Sequence, residues 1–323
     1  KHNHVLGLSN VSLDIEAGYI QVIMGLSGSG KSTLIRHINR LIEPTAGEVI
    51  VDGTDVRALK PKALRTFRRA STAMVFQKFA LLPHRTVLGN VVFGLEIRGV
   101  PRAEQLEEAR HWINRVGLAG FEDRYPSQLS GGMQQRVGLA RALANDAPIL
   151  LMDEAFSALD PLIRLDMQAI LLDLQEEVRK TIVFITHDLD EALRIGDRVA
   201  IMQDGELVQQ GRPEDIVLSP ATPYVEDFVR QVNRGRVVKV SALAKSVSGP
   251  PAALRIPGTL SLADAALRLV EARLSFADVT DDNGAVVGRV GLEDVVRTLA
   301  RSAGEEAASE DIASEEPPAR LAG

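Results

Sequence analysis

The chain has no cysteine among its 323 residues. Disulfide bridges and cysteine-held metals are therefore excluded, and a reducing compartment is allowed. It has no apolar run near the ~20 residues that a membrane span requires. Any membrane role must come through a partner. No segment reads as a signal peptide. Positive charge is not in excess, with 37 Lys+Arg against 43 Asp+Glu and a formal net charge of −6. That balance argues against nucleic acid as the main partner. Aromatic residues are scarce at 4%, and none precedes Tyr19. What is present is an ordinary hydrophobic fraction of 45%, enough for buried cores. The length exceeds one typical domain, so two are expected, the first large.

The most informative stretch is Gly25-Leu26-Ser27-Gly28-Ser29-Gly30-Lys31-Ser32-Thr33, which fits the phosphate-binding P-loop, G-x-x-x-x-G-K-[ST]. Small residues let backbone N–H groups curl around a polyphosphate. Lys31 sets a positive charge against the β- and γ-phosphates, and Ser32 offers a hydroxyl to Mg²⁺. The local pattern suits it. A buried strand is expected over 19–24, and a helix from Lys31 turns its positive end to the same phosphates. The loop alone says only that a nucleotide binds.

Further candidates follow in order. His2 and His4 are two nitrogen ligands on a tail, too few for a metal site. Val5 to Ile15 reads as strand-like. Glu48 to Val51 reads as a strand turned by Asp52-Gly53. Arg65, Arg68 and Arg69 read as a solvated helix face. The apolar strand 73–76 ends at Gln77, whose amide suits Mg²⁺ or an attacking water and equally an ordinary loop. Phe79 to His84 is apolar and broken by Pro83, which fits a docking surface or a core contact. A helix is expected over 101–116, with Trp112 as packing. Leu129-Ser130-Gly131-Gly132 starts a helix to about Leu143. It is either a second anion site or a plain helix cap. One nucleotide does not need both sites, so two copies of the chain could share each ATP. The strand 148–152 ends in Asp153-Glu154. Asp153 suits outer-shell Mg²⁺ and Glu154 suits polarising a water, although an acid pair also fits a solvated strand edge. Asp160 precedes a helix led by Pro161. The strand 181–186 ends at His187, placed to touch a γ-phosphate. Val199 to Val208 reads as a hairpin around Asp204-Gly205. Strands alternating with helices, each ending in a polar residue, predict a mainly parallel α/β sheet with its site at the strand C-termini.

Together these motifs make the chain resemble the ATP-binding subunit of an ABC transporter. The P-loop, Gln77, the Leu129 to Gly132 turn, Asp153-Glu154, Asp160 and His187 occur in the family order over about 5–233. The phrases Val22 to Gly30, Arg136 to Arg141, Met152 to Arg164 and His187 to Ala192 look like the subgroup that imports glycine betaine, proline betaine, choline and related quaternary amines. The resemblance implies a P-loop α/β domain whose mainly parallel sheet carries an antiparallel β subdomain and a helical subdomain. It implies ATP and Mg²⁺ as cofactors. Gly25, Ser27, Gly28, Ser29, Gly30, Lys31, Ser32 and Thr33 would bind nucleotide. Ser32, Gln77 and Asp153 would serve the metal, and Glu154, Gln77 and His187 would act in catalysis. Ser130, Gly131 and Gly132 would reach the ATP of a second copy in a head-to-tail dimer, with Asp160 linking the two sites. Lys78 to Val91 would receive a helix of a membrane permease. A periplasmic or lipid-anchored solute-binding protein would complete the transporter, and this chain would lie on the cytoplasmic face of the inner membrane, held there through the permease. The family stacks adenine on an aromatic residue upstream of the P-loop; none precedes Tyr19, so either residues before Lys1 supply it or adenine is held differently.

Beyond the ATPase domain at 1–233, a linker is expected over 234–257. The segment 258–302 resembles one CBS motif, a small α+β regulatory unit that works in pairs. Gly291 stands three residues before Asp294, where that family's adenosine pattern has Ser or Thr. The acidic tail 303–323 reads as disordered. Basic residues from Arg234 to Arg301 suggest control by ionic strength. Two rival readings are a soluble ABC-type ATPase that remodels a macromolecular complex and a CBS-linked nucleotide sensor. The first usually carries two fused ATPase domains or a long coiled coil, neither of which is in the sequence. Glu154 and His187 argue for turnover against the second.

Overall fold

The computed structural model describes residues 6–77, 79–230, 232–246, 250–281 and 283–300. His2, His4, Lys78, Arg301 and the acidic tail lie outside them. The chain divides into two compact units, Lys1–Gln210 and Gly211–Gly323. The division falls earlier than residue 233, because the helices after Gly211 group with the C-terminal segment.

The first unit begins with β1 (Ile20–Met24), five consecutive buried residues. The P-loop follows, then α1 (Lys31–Ile38). A two-residue turn at Asp52-Gly53, both at positive φ, joins β2 (Ile50–Val51) to β3 (Thr54–Asp55). Next come α2 (Pro61–Ala70) and β4 (Thr72–Phe76). A helical arm holds α3 (Val87–Val91), α4 (Phe93–Arg98), α5 (Arg102–Arg115) and α6 (Gly131–Ala144). Trp112 is buried in that arm, with its indole N–H donating to Glu108 at 2.7 Å. The chain returns to the sheet as β5 (Ile149–Asp153), α7 (Pro161–Val178), β6 (Thr181–Thr186) and α8 (Leu189–Ile195). The hairpin β7 (Arg198–Gln203) and β8 (Glu206–Gly211) ends it, turned by Asp204 and Gly205 at positive φ.

The strand order is β4-β5-β6-β1-β7-β8. The first five are parallel. Their continuous apolar runs suit a sheet covered on both faces. Register decides where function falls. Phe76 sits opposite Asp153, Asp153 opposite Ile185, and Met24 opposite Thr186. Gly25, Gln77, Glu154 and His187 each follow one of these strand ends, so four distant sequence segments meet at one edge. Below them Ile23, Ile35, Leu151, Val183 and Ile185 form a core cluster.

Two expectations change here. The residues after Val5, read as a strand, form none through Ile15. Leu8, Val11, Leu13 and Ile15 instead pack half-buried against the core cluster. Alternating apolar residues fit a strand only where a neighbouring strand pairs with it. Arg68 is not simply solvated, since its Nε donates to the Asn39 carbonyl at 2.8 Å.

The second unit holds the short helices α9 (Pro213–Leu218), α10 (Pro223–Val229) and α11 (Arg234–Val237). They precede β9 (Arg255–Pro257), α12 (Leu262–Glu271), β10 (Phe276–Thr280), β11 (Val286–Gly291) and a last helix over 292–300. β10 pairs in parallel with β9 and antiparallel with β11. The stretch expected as a linker is part of this fold. Val238 and Val240 are fully buried, and Val240 N–H donates to the Leu260 carbonyl. Short-range composition shows Gly and Pro there but not the long-range packing of its valines. No helix among the described residues is long and apolar enough to cross a membrane.

Candidate nucleotide site

The P-loop turns on glycines that have no substitute. Gly25 has φ +152°, and a Cβ there would lie 2.2 Å from the Met202 carbonyl oxygen. Gly30 has φ +96°, and a Cβ there would meet the Gly7 carbonyl at 2.6 Å. Both positions need the freedom and the small size of glycine. The cavity above the loop is about 250 Å³, lined by Ser27, Gly28, Gly30, Lys31, Ser32 and Glu154 among others. Gly30 gives α1 no side-chain cap, so the helix start keeps N–H groups for a ligand.

Lys31 is buried, and its Nζ donates to the carbonyls of Gly25 at 2.8 Å and Leu26 at 2.9 Å. Burial lowers its pKa, while Glu154 and Asp153 pull the other way. The loop thus holds its own cation in place. Ser29 is buried, and its Oγ has no partner among the described residues. An orphaned hydroxyl in a phosphate cradle is a polar atom awaiting a ligand. Ser32 Oγ donates to Asp153 Oδ1 at 2.8 Å, and Arg36 Nη2 pairs with Asp153 Oδ2 at 2.9 Å. A hydroxyl and a carboxylate side by side beside phosphates are the oxygen set that Mg²⁺ takes with few protein ligands.

Gln77 Nε2 donates to Glu154 Oε2 and to Ser157 Oγ, both at 3.2 Å. His187 Nδ1 lies 3.7 Å from the same Glu154 oxygen, beyond hydrogen-bond length but within ion-pair reach. Glu154 takes φ +47°, an unusual conformation for a residue with a side chain. Its carboxylate is therefore flanked by an amide and an imidazole, next to the phosphate cavity.

Ser130, Gly131, Gly132 and Asp160 are not among the residues lining that cavity. Ser130 is exposed and caps α6, accepting from Met133 N–H at 3.3 Å. Asp160 caps α7, accepting from Ile163 N–H at 3.1 Å. Gly131 lies against Phe79, whose ring would be 3.6 Å from a Cβ there.

Two arginines escape a reading by motif. Arg141 on α6 donates to the Phe79 and Ala80 carbonyls at 3.3 and 2.8 Å. It holds two successive residues at φ +52° and +48° just after Gln77, and burial lowers its pKa. Arg164 on α7 reaches two loops at once. Both end phrases that carry the resemblance, Arg136 to Arg141 and Met152 to Arg164, but those phrases give neither a role, because their partners are backbone carbonyls or distant in sequence.

A parallel α/β sheet with a P-loop after β1, a carboxylate pair at the end of β5 and a helical arm defines a nucleotide-hydrolysing cassette. The ABC transporter family model matches residues 8–157. The chain is 50% identical over 300 residues to the glycine betaine transport ATP-binding protein OpuAA of Bacillus subtilis, covering 91% of this chain and 72% of that one. It is 59% identical over 236 residues to the glycine betaine/carnitine transport ATP-binding protein GbuA of Listeria monocytogenes, covering 73% of this chain and 59% of that one. A dimeric structure of a post-hydrolysis state of the ATP-binding cassette MJ0796 bound to ADP and Pi superposes with TM-score 0.61 and 38% identity, over 66% of this chain and 93% of that one. The chain belongs to the ATP-binding proteins of the ABC transporter family.

Proposed function

We propose that this protein hydrolyses ATP to power import of glycine betaine or a related quaternary amine through a partner permease. The carrying observation is the convergence of Gln77 and His187 on one oxygen of Glu154 beside the P-loop cavity. Glu154 accepts a proton from the attacking water as it approaches the γ-phosphate. Lys31 leaves its two carbonyls and neutralises charge on the phosphates, while Ser29 Oγ gains the partner it lacks. Ser32, Asp153 and Gln77 would hold Mg²⁺, which supplies charge neutralisation on the phosphate oxygens when bound. His187, exposed beside Glu154, contacts the γ-phosphate.

Two copies close head to tail, and Ser130, Gly131 and Gly132 of one complete the site of the other. The exposure of Ser130 and its absence from the lining of its own chain's cavity support this reading. A separate cleft of about 390 Å³, lined by Phe76, Ala80, Leu82, Phe93, Ile97 and Arg141, is where the permease docks. A solute-binding protein delivers the amine, and this chain sits at the cytoplasmic face of the membrane, bound to the permease. Glu154→Gln tests the chemistry. It should keep ATP binding and lower hydrolysis at least about a hundredfold, the contribution expected of a general base. Hydrolysis at the wild-type rate would remove Glu154 from the role.

The second unit acts as a CBS-like regulator. Its strand–helix–strand–strand–helix order over 255–300 supports one such motif. Asp294 is already paired with Lys245 at 2.7 Å, which disfavours a nucleotide there and leaves ionic control. Arg289 and Arg297 are likewise paired, with Asp278 and Glu293, while Arg236, Lys239, Arg268 and Arg273 are exposed, and Arg268 and Arg273, in and just after α12, are tested first. Salt shortens the Debye length from ~10 Å at 0.1 M to ~3 Å at 1 M. ATP hydrolysis by the transporter in anionic liposomes should rise with KCl. Arg268→Gln with Arg273→Gln should flatten that rise, and an unchanged salt response would exclude these two cations.

A further inference from the structure

One arginine bridges the two loops that flank Glu154. Arg164, in the first turn of α7, donates from Nη1 to Asp188 Oδ2 at 3.0 Å. Its Nη2 donates to the Leu159 carbonyl at 3.2 Å. Leu159 directly precedes Asp160, the cap of α7. Asp188 directly follows His187, and its other oxygen caps α8 by accepting from Glu191 N–H at 3.0 Å. One turn further along the same face of α7, Gln168 donates to Glu191 Oε1 at 3.0 Å. The start of α7 therefore grips the start of α8 at two levels, four residues apart on one face and three on the other.

Glu154 sits between the bridged loops. Its N–H donates to the Ile185 carbonyl, and its own carbonyl accepts from Ser157 N–H and Oγ. Motion in the 157–160 turn and motion at His187 therefore meet at the residue between them. The guanidinium fork is suited to this link. It is planar and holds a carboxylate and a carbonyl in one fixed geometry. The ion pair is also partly open to water, with side chains 25% and 33% exposed. Access to water weakens what such a pair adds to stability. Its distinctive contribution is the fixed geometry between two loops that carry site residues.

We propose that Arg164 is a positioning residue for ATP hydrolysis. It locks Leu159-Asp160 to His187-Asp188, so that the partner-facing turn and the γ-phosphate-facing histidine move together. The inference rests on the roles given above to Asp160 and His187.

The test is steady-state ATP hydrolysis by the full 323-residue chain, with Arg164→Met, Arg164→Lys and His187→Ala beside the parent. Arg164→Met should lower kcat by roughly tenfold with KM held within about twofold, the pattern of a lost transition-state interaction. Its thermal midpoint should stay within about 2 °C of the parent. Arg164→Lys keeps the charge but can satisfy only one partner at a time, and should recover part of kcat. In a Glu154→Gln background, Arg164→Met should weaken ATP-driven dimerisation while ATP binding to the monomer is unchanged. If His187→Ala abolishes hydrolysis and Arg164→Met retains full kcat, the coupling role is wrong and the histidine reading stands. If His187→Ala is itself silent, the histidine reading has failed first. A fall in thermal midpoint with a matching rise in KM, unrelieved by lysine, would make Arg164 merely structural and overturn the proposal.

Discussion

Two helices in this chain start at glycine-flanked turns, and they are finished differently. At α1 the cap is Gly30, which offers no side chain, and a buried lysine, a serine and two carboxylates gather around the opening. At α6 the cap is Ser130, whose own hydroxyl accepts from Met133 N–H, and the turn is exposed. Both starts carry the positive end of a helix dipole. Only the first also has the cation, the metal-ready oxygens and the base. The difference teaches that an anion site needs convergence and not merely a helix start. The α6 turn becomes a site only if another molecule brings the rest.

The largest effect expected from this contrast comes at the complete site. Lys31→Ala should weaken ATP binding to the single protomer by about 10- to 100-fold, the worth of charge-assisted bonds to phosphate. Ser130→Arg should leave that binding unchanged. Titration calorimetry on monomeric protein measures both. Equal losses in the two variants would erase the distinction.

The smallest effect lies behind the site, in the strap between α7 and α8. Burial raises the pKa of Glu191, against weaker opposing hydrogen bonds from Thr186 and Gln168. A raised folded-state pKa favours the protonated acid in the fold. Its stabilising contribution is present below the unfolded pKa and is lost as pH rises through the folded value. Glu191→Gln keeps an acceptor for Gln168 and removes the titration. The variant should match the parent in thermal midpoint near pH 4 and exceed it by a few degrees near pH 8. A parent more stable than the variant at pH 8 would show that the ionised carboxylate is the favoured form.

Much of the first site was legible in sequence because its parts are local. The P-loop fixes its turn with Gly25 and Gly30 inside one short segment. Gln77, Glu154 and His187 each announce themselves as the polar residue after an apolar strand. Their meeting depends on parallel register, which the alternation of strands and helices implied. The failures are the non-local features. The apolar residues of 8–15 gave a strand pattern without a partner strand. Val238 and Val240 looked like linker residues because the groups that pair with their backbones, the Leu262 N–H and the Leu260 carbonyl, lie 24 and 20 residues on in the chain. Arg68 and Arg141 act through backbone carbonyls, which leave no trace in residue type, and Arg164 joins the Leu159 carbonyl to Asp188, 24 residues on.

The head-to-tail pairing of the two helix starts is the central claim, and mixed dimers test it most directly. Lys31→Ala and Ser130→Arg are placed either in the same protomer or in opposite protomers, and trapped nucleotide per dimer is counted. If α6 of one copy completes the P-loop of the other, opposite placement puts both lesions in one site and leaves the second intact. Same-protomer placement damages both sites. The expected result is therefore trapping with opposite placement and none with same-protomer placement. The reverse pattern, with trapping only when both changes share a protomer, would mean that each chain builds its site alone and would contradict the account.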